Sequence, residues 1–156
     1  MPHPSDDGGR EIWYARGVDV KRTGEQHLIV EGLQVLIVDD QPRARRSLKA
    51  LLATCSQVET SREAVDGRDA LARVEERLPD VILMDARMPE MDGLQATRLI
   101  KTRWPQVKII VLSMYAEYMD EALAAGADAF VSKGAPADKL LTTLSAVTHC
   151  GCLNHE

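Results

Sequence analysis

A chain of 156 residues is long enough for one domain with a buried core, and 45% hydrophobic with 28% charged residues is the balance of a soluble globular protein. The net charge of -5 argues against a surface built for phosphate backbones, and the three cysteines, Cys55, Cys150 and Cys152, do not suggest a disulfide framework. The opening Met1-Pro2-His3-Pro4-Ser5-Asp6-Asp7-Gly8-Gly9 has no apolar signal core and no run approaches membrane-spanning length, so a cytoplasmic protein is expected.

Residues 1–32 read as an N-terminal extension, partly disordered. The first nine residues have almost nothing to bury. Ile12, Trp13, Tyr14, Val18 and Leu28-Ile29-Val30 follow without a steady period. An appended strand, a docking arm and an upstream extension of the gene start would all read this way.

From Leu33 the pattern is regular. Val35-Leu36-Ile37-Val38 is a buried strand running into Asp39-Asp40. Pro42 stands where the first turn of a helix tolerates it, and Ala44, Leu48, Leu51, Leu52 and Cys55 follow at helical spacing. Val58 to Ser61 is a weak, polar strand that suits a sheet edge. A helix from about Gly67 is predicted to carry Ala70, Leu71, Val74 and Leu78 inward. Val81-Ile82-Leu83-Met84 is a continuous apolar run that ends abruptly in Asp85 and the turn Ala86-Arg87-Met88-Pro89-Glu90-Met91-Asp92-Gly93. The next helix, from Gly93, has Leu94, Leu99 and Ile100, and Ile109 to Leu112 is a further strand ending at Ser113. A helix with Met119, Ala122 and Leu123 ends at Gly126, placed as a C′ residue. Ala129-Phe130-Val131 is the last strand, before Ser132-Lys133-Gly134, and Leu140, Leu141, Leu144 and Val147 line the last helix.

Five strands alternating with five helices predict an α/β domain over residues 33–150, with 151–156 a tail. The fold expected is a flavodoxin-like, doubly wound parallel sheet in the order 2-1-3-4-5. That order places the two weakest strands, 58–61 and 129–131, at the edges. In such a sheet the strand ends open on one rim, where ligands bind. Asp39-Asp40, Asp85, Ser113 and Lys133 all fall there. Asp92 and Gly93 stand nearer the following helix and suit its start better than Asp85 does. Clustered carboxylates repel unless a cation sits among them, and Mg²⁺ is the hard, oxygen-preferring ion that would. A carboxylate can act as the nucleophile that forms an aspartyl phosphate, with Mg²⁺ and a lysine neutralising charge.

Val35 to Asp40, Leu83-Met84-Asp85-Ala86-Arg87-Met88-Pro89 with Asp92-Gly93, Val111-Leu112-Ser113 and Phe130-Val131-Ser132-Lys133 resemble the receiver domains of two-component response regulators. The likeness covers about residues 33 to 150. Leu112-Ser113-Met114-Tyr115 with Ala124 to Phe130 looks most like receivers that precede a LuxR-type helix-turn-helix. The resemblance implies Asp85 as phospho-acceptor, Asp40 as a direct Mg²⁺ ligand, and Asp39 as a ligand through water or as a second carboxylate. It implies the carbonyl of Arg87 as another Mg²⁺ ligand and Ser113 and Lys133 as contacts to the phosphoryl oxygens. Phe130 would be the aromatic switch, and helix 4, strand 5 and helix 5 the face that changes. The donor would be a histidine kinase or phosphotransfer protein, the output partner is unknown, and a phosphorylation-dependent homodimer is left open. The chain would be a signalling protein rather than an enzyme, with at most self-phosphorylation from small donors and autodephosphorylation.

Three features depart from the family pattern. Gly134 follows Lys133 where many receivers have a cis proline, so a trans bond is expected. Arg87 puts a long cation beside the acceptor. The sequence ends at Leu153-Asn154-His155-Glu156, about where a linker to a DNA-binding domain would begin.

Other motifs carry less. His149, Cys150, Cys152 and His155 have poor spacing for structural zinc and read as a helix end. Arg43, Arg45, Arg46 and Lys49 read as a solvated helix face or a kinase-docking surface, with no interleaved aromatics for nucleic acid. Trp13-Tyr14 and Trp104 are packing candidates; Met114, Tyr118 and Met119 suit either core or an adaptable partner surface. A haloacid-dehalogenase-like phosphatase would need an Asp where Arg87 stands and has no place for Asp39-Asp40. No helix-turn-helix is present, so direct DNA binding is not expected. A phosphorylation-independent pseudo-receiver and the receiver part of a truncated transcriptional regulator are the alternative readings.

Overall fold

The computed structural model describes residues 13–15, 18–22 and 28–153, with side chains described from 32 to 148. Three strands, β1 (Trp13–Ala15), β2 (Val18–Arg22) and β3 (Leu28–Glu31), pair antiparallel in the order β1-β2-β3. They form a small meander within the region read as an N-terminal extension. The disorder expected of the first nine residues, the packing expected of Trp13-Tyr14 and the His149 to His155 cluster lie outside what is described.

Strands and helices then alternate: β4 (Leu33–Val38), α1 (Pro42–Leu52), β5 (Val58–Ala64), α2 (Gly67–Glu76), β6 (Val81–Asp85), α3 (Gly93–Arg103), β7 (Lys108–Ser113), α4 (Met119–Ala124), β8 (Ala129–Ser132) and α5 (Ala137–Leu153). A 3₁₀ turn at Ala116–Tyr118 leads into α4. The five later strands are all parallel and lie in the order β5-β4-β6-β7-β8, which is 2-1-3-4-5 counted along the chain. This is the flavodoxin-like order expected from the sequence, with the two weak strands at the edges.

The continuous apolar runs are explained by two cores, one on each face. Val35, Ile37, Val81, Leu83, Ile110 and Leu112 point to one side, where Leu52 of α1 and Leu140 and Leu144 of α5 cover them. Leu36, Val38, Ile82, Met84, Ile109 and Val111 point to the other, against Ala70 and Val74 of α2, Ile100 of α3 and Ala122 of α4. Each fully buried aliphatic side chain is worth roughly 1.5–3 kcal/mol, so β6, buried at all five residues, is the hub of the sheet.

Helix starts follow local chemistry. Asp66 caps α2 by accepting from the Asp69 N–H at 2.8 Å, and Asp92 caps α3 by accepting from the Gln95 N–H at 2.9 Å. Asp92 therefore does the capping, and Asp85 is free for the rim. A Cβ added at Gly93 would fall on the carbonyl of Asp85, so only glycine lets α3 begin this close to the end of β6. Gly126 ends α4 with φ +107, as its C′ placement predicts.

One inward prediction needs correction. Leu78 is 45% exposed, because α2 stops at Glu76 and Arg77 is already extended. Met119 and Leu123 are exposed too, since the short α4 sends only Ala122 of that row inward. Leu99 also faces outward, whereas Leu94 and Ile100 are buried. Trp104 packs half-buried against the core.

β5 runs three residues beyond the predicted 58–61. Its polar end is held by the flanking helices. Arg62 donates to the carbonyls of Arg73 and Arg77 near the end of α2, and Glu63 accepts from Arg45 of α1.

Candidate functional site

The rim above β4, β6, β7 and β8 gathers the residues singled out by sequence. Asp85 is the last residue of β6 and only 7% exposed, and Asp39, just past β4, is 1% exposed. Asp40 is half-buried beside them. One carboxylate oxygen from each of the three lies within 4.8 Å of the others.

Lys133, the residue after β8, bridges this cluster. Its ammonium lies 3.0 Å from Asp39 Oδ2 and 3.0 Å from Asp85 Oδ1. Its backbone N–H donates to the Ser113 carbonyl at 2.9 Å, which fixes the loop between β8 and α5 to the end of β7. Among the described residues every peptide bond is trans, including that to Gly134, as expected. The other Asp39 oxygen, Oδ1, accepts from the Gln41 N–H at 2.9 Å at the start of α1.

Charge is unbalanced in this cluster: three carboxylates face one ammonium. Burial, followed by the neighbouring charge of Asp39, raises the Asp85 carboxyl above its ordinary value despite the pull of Lys133. Burial works against the Lys133 ammonium, yet its hydrogen bonds to Asp39 and Asp85 outweigh that and raise its pKa. The Lys133 shift, and the part of the Asp85 shift due to Asp39, both reflect three carboxylates gathered around one ammonium. Hard oxygen donors at this spacing suit a small divalent cation, and Mg²⁺ fits the donor set Asp39, Asp40 and Asp85.

Ser113 ends β7, buried, and its Oγ accepts from the Tyr115 N–H at 3.0 Å. Phe130 lies on β8 opposite Val111 and packs half-buried against the same core as Tyr118. Arg87 is exposed in the loop after β6. Its guanidinium donates to the Tyr118 hydroxyl and lies 5.6 Å from the centroid of that ring. Tyr115 meets Tyr118 edge-on, with centroids 6.1 Å apart. Of the residues open to either core or surface, Met114 and Met119 are exposed, as is Tyr115, whereas Tyr118 packs half-buried against the core. The rim thus brings together Asp39, Asp40, Asp85 and Lys133, with Ser113 at the next strand end, while Phe130 lies back from the rim, near the start of β8.

Sequence reasoning missed one member. Arg45, grouped with a solvated helix face, turns inward. It donates from Nη1 to the Asp39 carbonyl at 2.7 Å and from Nε to Glu63 Oε1 at 2.8 Å. Nothing in the helical pattern marks it, because its partners are a backbone carbonyl and an edge-strand acid 18 residues away.

The family model of the response regulator receiver domain matches residues 35–145, and the chain belongs to that family. It is 36% identical over 125 residues to the transcriptional regulatory protein DegU of Brevibacillus brevis, covering 79% of this chain and 53% of that protein. It is 39% identical over 103 residues to the response regulator protein VraR of Staphylococcus aureus, covering 65% and 49%. The chain spans about half the length of the curated relatives it matches. Among solved structures, a LuxR family two-component response regulator from Aurantimonas sp. SI85-9A1 superposes with a TM-score of 0.73 at 25% identity, over 77% of this chain and 87% of that one. The signal receiver domain of the putative response regulator NarL from Mycobacterium tuberculosis gives 0.71 at 28% identity, over 76% and 97%. Receiver domains of this family are signalling domains rather than typical enzymes, and phosphorylation by a kinase is their general mechanism. They generally bind Mg²⁺ at an acidic pocket, and they work with histidine kinases or phosphotransfer proteins and with output domains. No helix among the described residues is long and apolar enough to cross a membrane.

Proposed function

We propose that this chain is a phosphorylation-activated receiver that takes a phosphoryl group onto Asp85 from a histidine kinase or a phosphotransfer protein in the cytoplasm. The observation that carries the proposal is the Asp85 carboxylate at the end of the central strand, 3.0 Å from the Lys133 ammonium and clustered with Asp39 and Asp40. In the reaction an Asp85 oxygen attacks phosphorus as the bond to the donor's imidazole nitrogen breaks. The electron pair of that bond leaves on nitrogen, and the new bond joins Asp85 oxygen to phosphorus. Asp39, Asp40, Asp85 and the Arg87 carbonyl would hold Mg²⁺. When bound, the ion neutralises charge on the phosphoryl oxygens. Lys133, 3.0 Å from Asp85 Oδ1, would contact one of those oxygens from the β8 side.

The switch begins at Ser113. Its hydroxyl, now an acceptor for the Tyr115 N–H, has its own hydrogen available for a phosphoryl oxygen. Making that bond draws the loop after β7 toward Asp85. Phe130 then turns into the space vacated, and α4, β8 and α5 change as one face. The exposed Met114, Tyr115 and Met119 lie where an output partner would read the change. A second reading, the receiver portion of a longer transcriptional regulator, is favoured by the half-length match to DegU and VraR.

The test compares backbone NMR shifts of wild type and Ser113→Ala with and without beryllofluoride, a phosphoryl mimic. Wild type is expected to change mainly across residues 113–150, and the variant less. Equal changes in both proteins, or changes confined to 85–93, would refute the switch.

A further inference from the structure

We propose that Arg45 is a positioning residue for the cation pocket, holding in place the peptide unit that joins Asp39 to Asp40. The inference rests on the reading that these two acids bind Mg²⁺.

The carbonyl that Arg45 grips belongs to the Asp39–Asp40 peptide bond, and a planar peptide fixes both of its flanking Cα atoms. The same residue is tied at its other end, where the Asp39 N–H donates to the Ala64 carbonyl at 3.2 Å. Ala64 ends β5, and Glu63, the acid that orients Arg45, is its chain neighbour. Two adjacent residues of one edge strand therefore fix Asp39 from both sides, one directly and one through the guanidinium.

A simple ion pair between helix and edge strand does not account for this geometry. Arg45 is mostly buried, with a side-chain exposure of 14%, and its rigid fork serves the acid and the main chain together. Lys49 supplies the contrast. It reaches the other oxygen of Glu63 at 3.5 Å and the Ser61 carbonyl at 3.2 Å and is more exposed, whereas the Asp39 carbonyl is bonded by Arg45. The Arg45 hydrogen bond is the leading reason the Glu63 carboxyl sits below its ordinary value.

Charge and geometry predict opposite outcomes when Arg45 is removed. A fixed positive charge beside a cation pocket repels the incoming ion, so on charge alone Arg45→Gln would tighten Mg²⁺ binding. Loss of positioning loosens the acids, and lost outer-shell partners weaken metal affinity about 10–100-fold.

The experiment is Mg²⁺ titration of the full chain by calorimetry, with amide NMR shifts of residues 38–41 as a second readout. Arg45→Gln is expected to raise the dissociation constant about tenfold or more. Lys49→Gln should leave it unchanged or slightly lower. Arg45→Lys, which keeps the charge without the fork, should not restore wild-type affinity. Unchanged or tighter binding in Arg45→Gln, or full rescue by Arg45→Lys, would overturn the proposal. Circular dichroism checks the fold of each variant. If Arg45→Gln does not fold, Glu63→Gln carries the test: weaker binding supports the role and unchanged binding overturns it. Wild type that takes up no Mg²⁺ would defeat the underlying metal-site reading, and this proposal with it.

Discussion

Neutralising Asp85 should stabilise the unphosphorylated protein when no divalent cation is present. At an effective dielectric of about 20, two unit charges 4.8 Å apart repel by about 3.5 kcal/mol. Asp85 faces two such neighbours, Asp39 and Asp40, at that separation or less. Its attraction to the Lys133 ammonium at 3.0 Å is about 5.5 kcal/mol on the same scale. Repulsion therefore exceeds attraction by about 1–2 kcal/mol, and burial of the charge adds in the same direction. Asp85→Asn should gain about that amount, which for a chain of this length raises Tm by about 2–8 °C.

The gain depends on pH in a fixed direction. Asp85 keeps its proton to higher pH in the folded state than in the unfolded chain, whose carboxyl titrates near 3.8. Between that value and the raised one the folded state holds more protons, so wild type loses stability as pH rises through the window. The advantage of Asp85→Asn is complete above the raised value and gone below about 3.8. Thermal unfolding followed by circular dichroism in EDTA, at neutral pH and again at acid pH, measures both. Added Mg²⁺ should narrow the gap by stabilising wild type. An Asp85→Asn protein that melts below wild type at neutral pH in EDTA would show that Lys133 already balances the cluster, and the reasoning would fail.

Two further predictions concern the framework. Glu90 holds a left-handed backbone at φ 69 in the loop after β6, a conformation that disfavours β-branched residues. Denaturant unfolding should find Glu90→Gly neutral or up to about 1 kcal/mol more stable, and Glu90→Val clearly less stable; a stabilised Val variant would contradict the strain argument. Leu144, fully buried, and Leu78, exposed, should separate in the same assay. Leu144→Ala should lose about 2–5 kcal/mol and Leu78→Ala about 0.5 or less, and similar losses would refute the core assignment.

Most of the fold was legible because the central strands are buried on both faces. Runs such as Val81 to Met84 leave little choice of element, and the polar residue ending each run marks the rim. Asp39, Asp85 and Lys133 are far apart in sequence, yet parallel strands bring their ends together, so strand order alone predicts the cluster. What sequence hid was set by geometry without a period. Leu78 and Leu123 obey helical spacing but lie where helices stop or are too short to cover the core. Residues 62–64 of β5 look like loop because an edge strand satisfies Arg62 and Glu63 through the helices beside it. Arg45 escaped notice because its role depends on a main-chain carbonyl, which no side-chain pattern reports.

The central claim, that Asp85 is the phospho-acceptor, is tested most directly by intact mass after incubation with acetyl phosphate and Mg²⁺. Wild type should gain a single phosphoryl group, mapped to the peptide containing Asp85, and should gain none in EDTA. Asp85→Asn should gain none under either condition. Label retained in Asp85→Asn, or a wild type that binds Mg²⁺ and still takes up no phosphoryl group, would contradict the account.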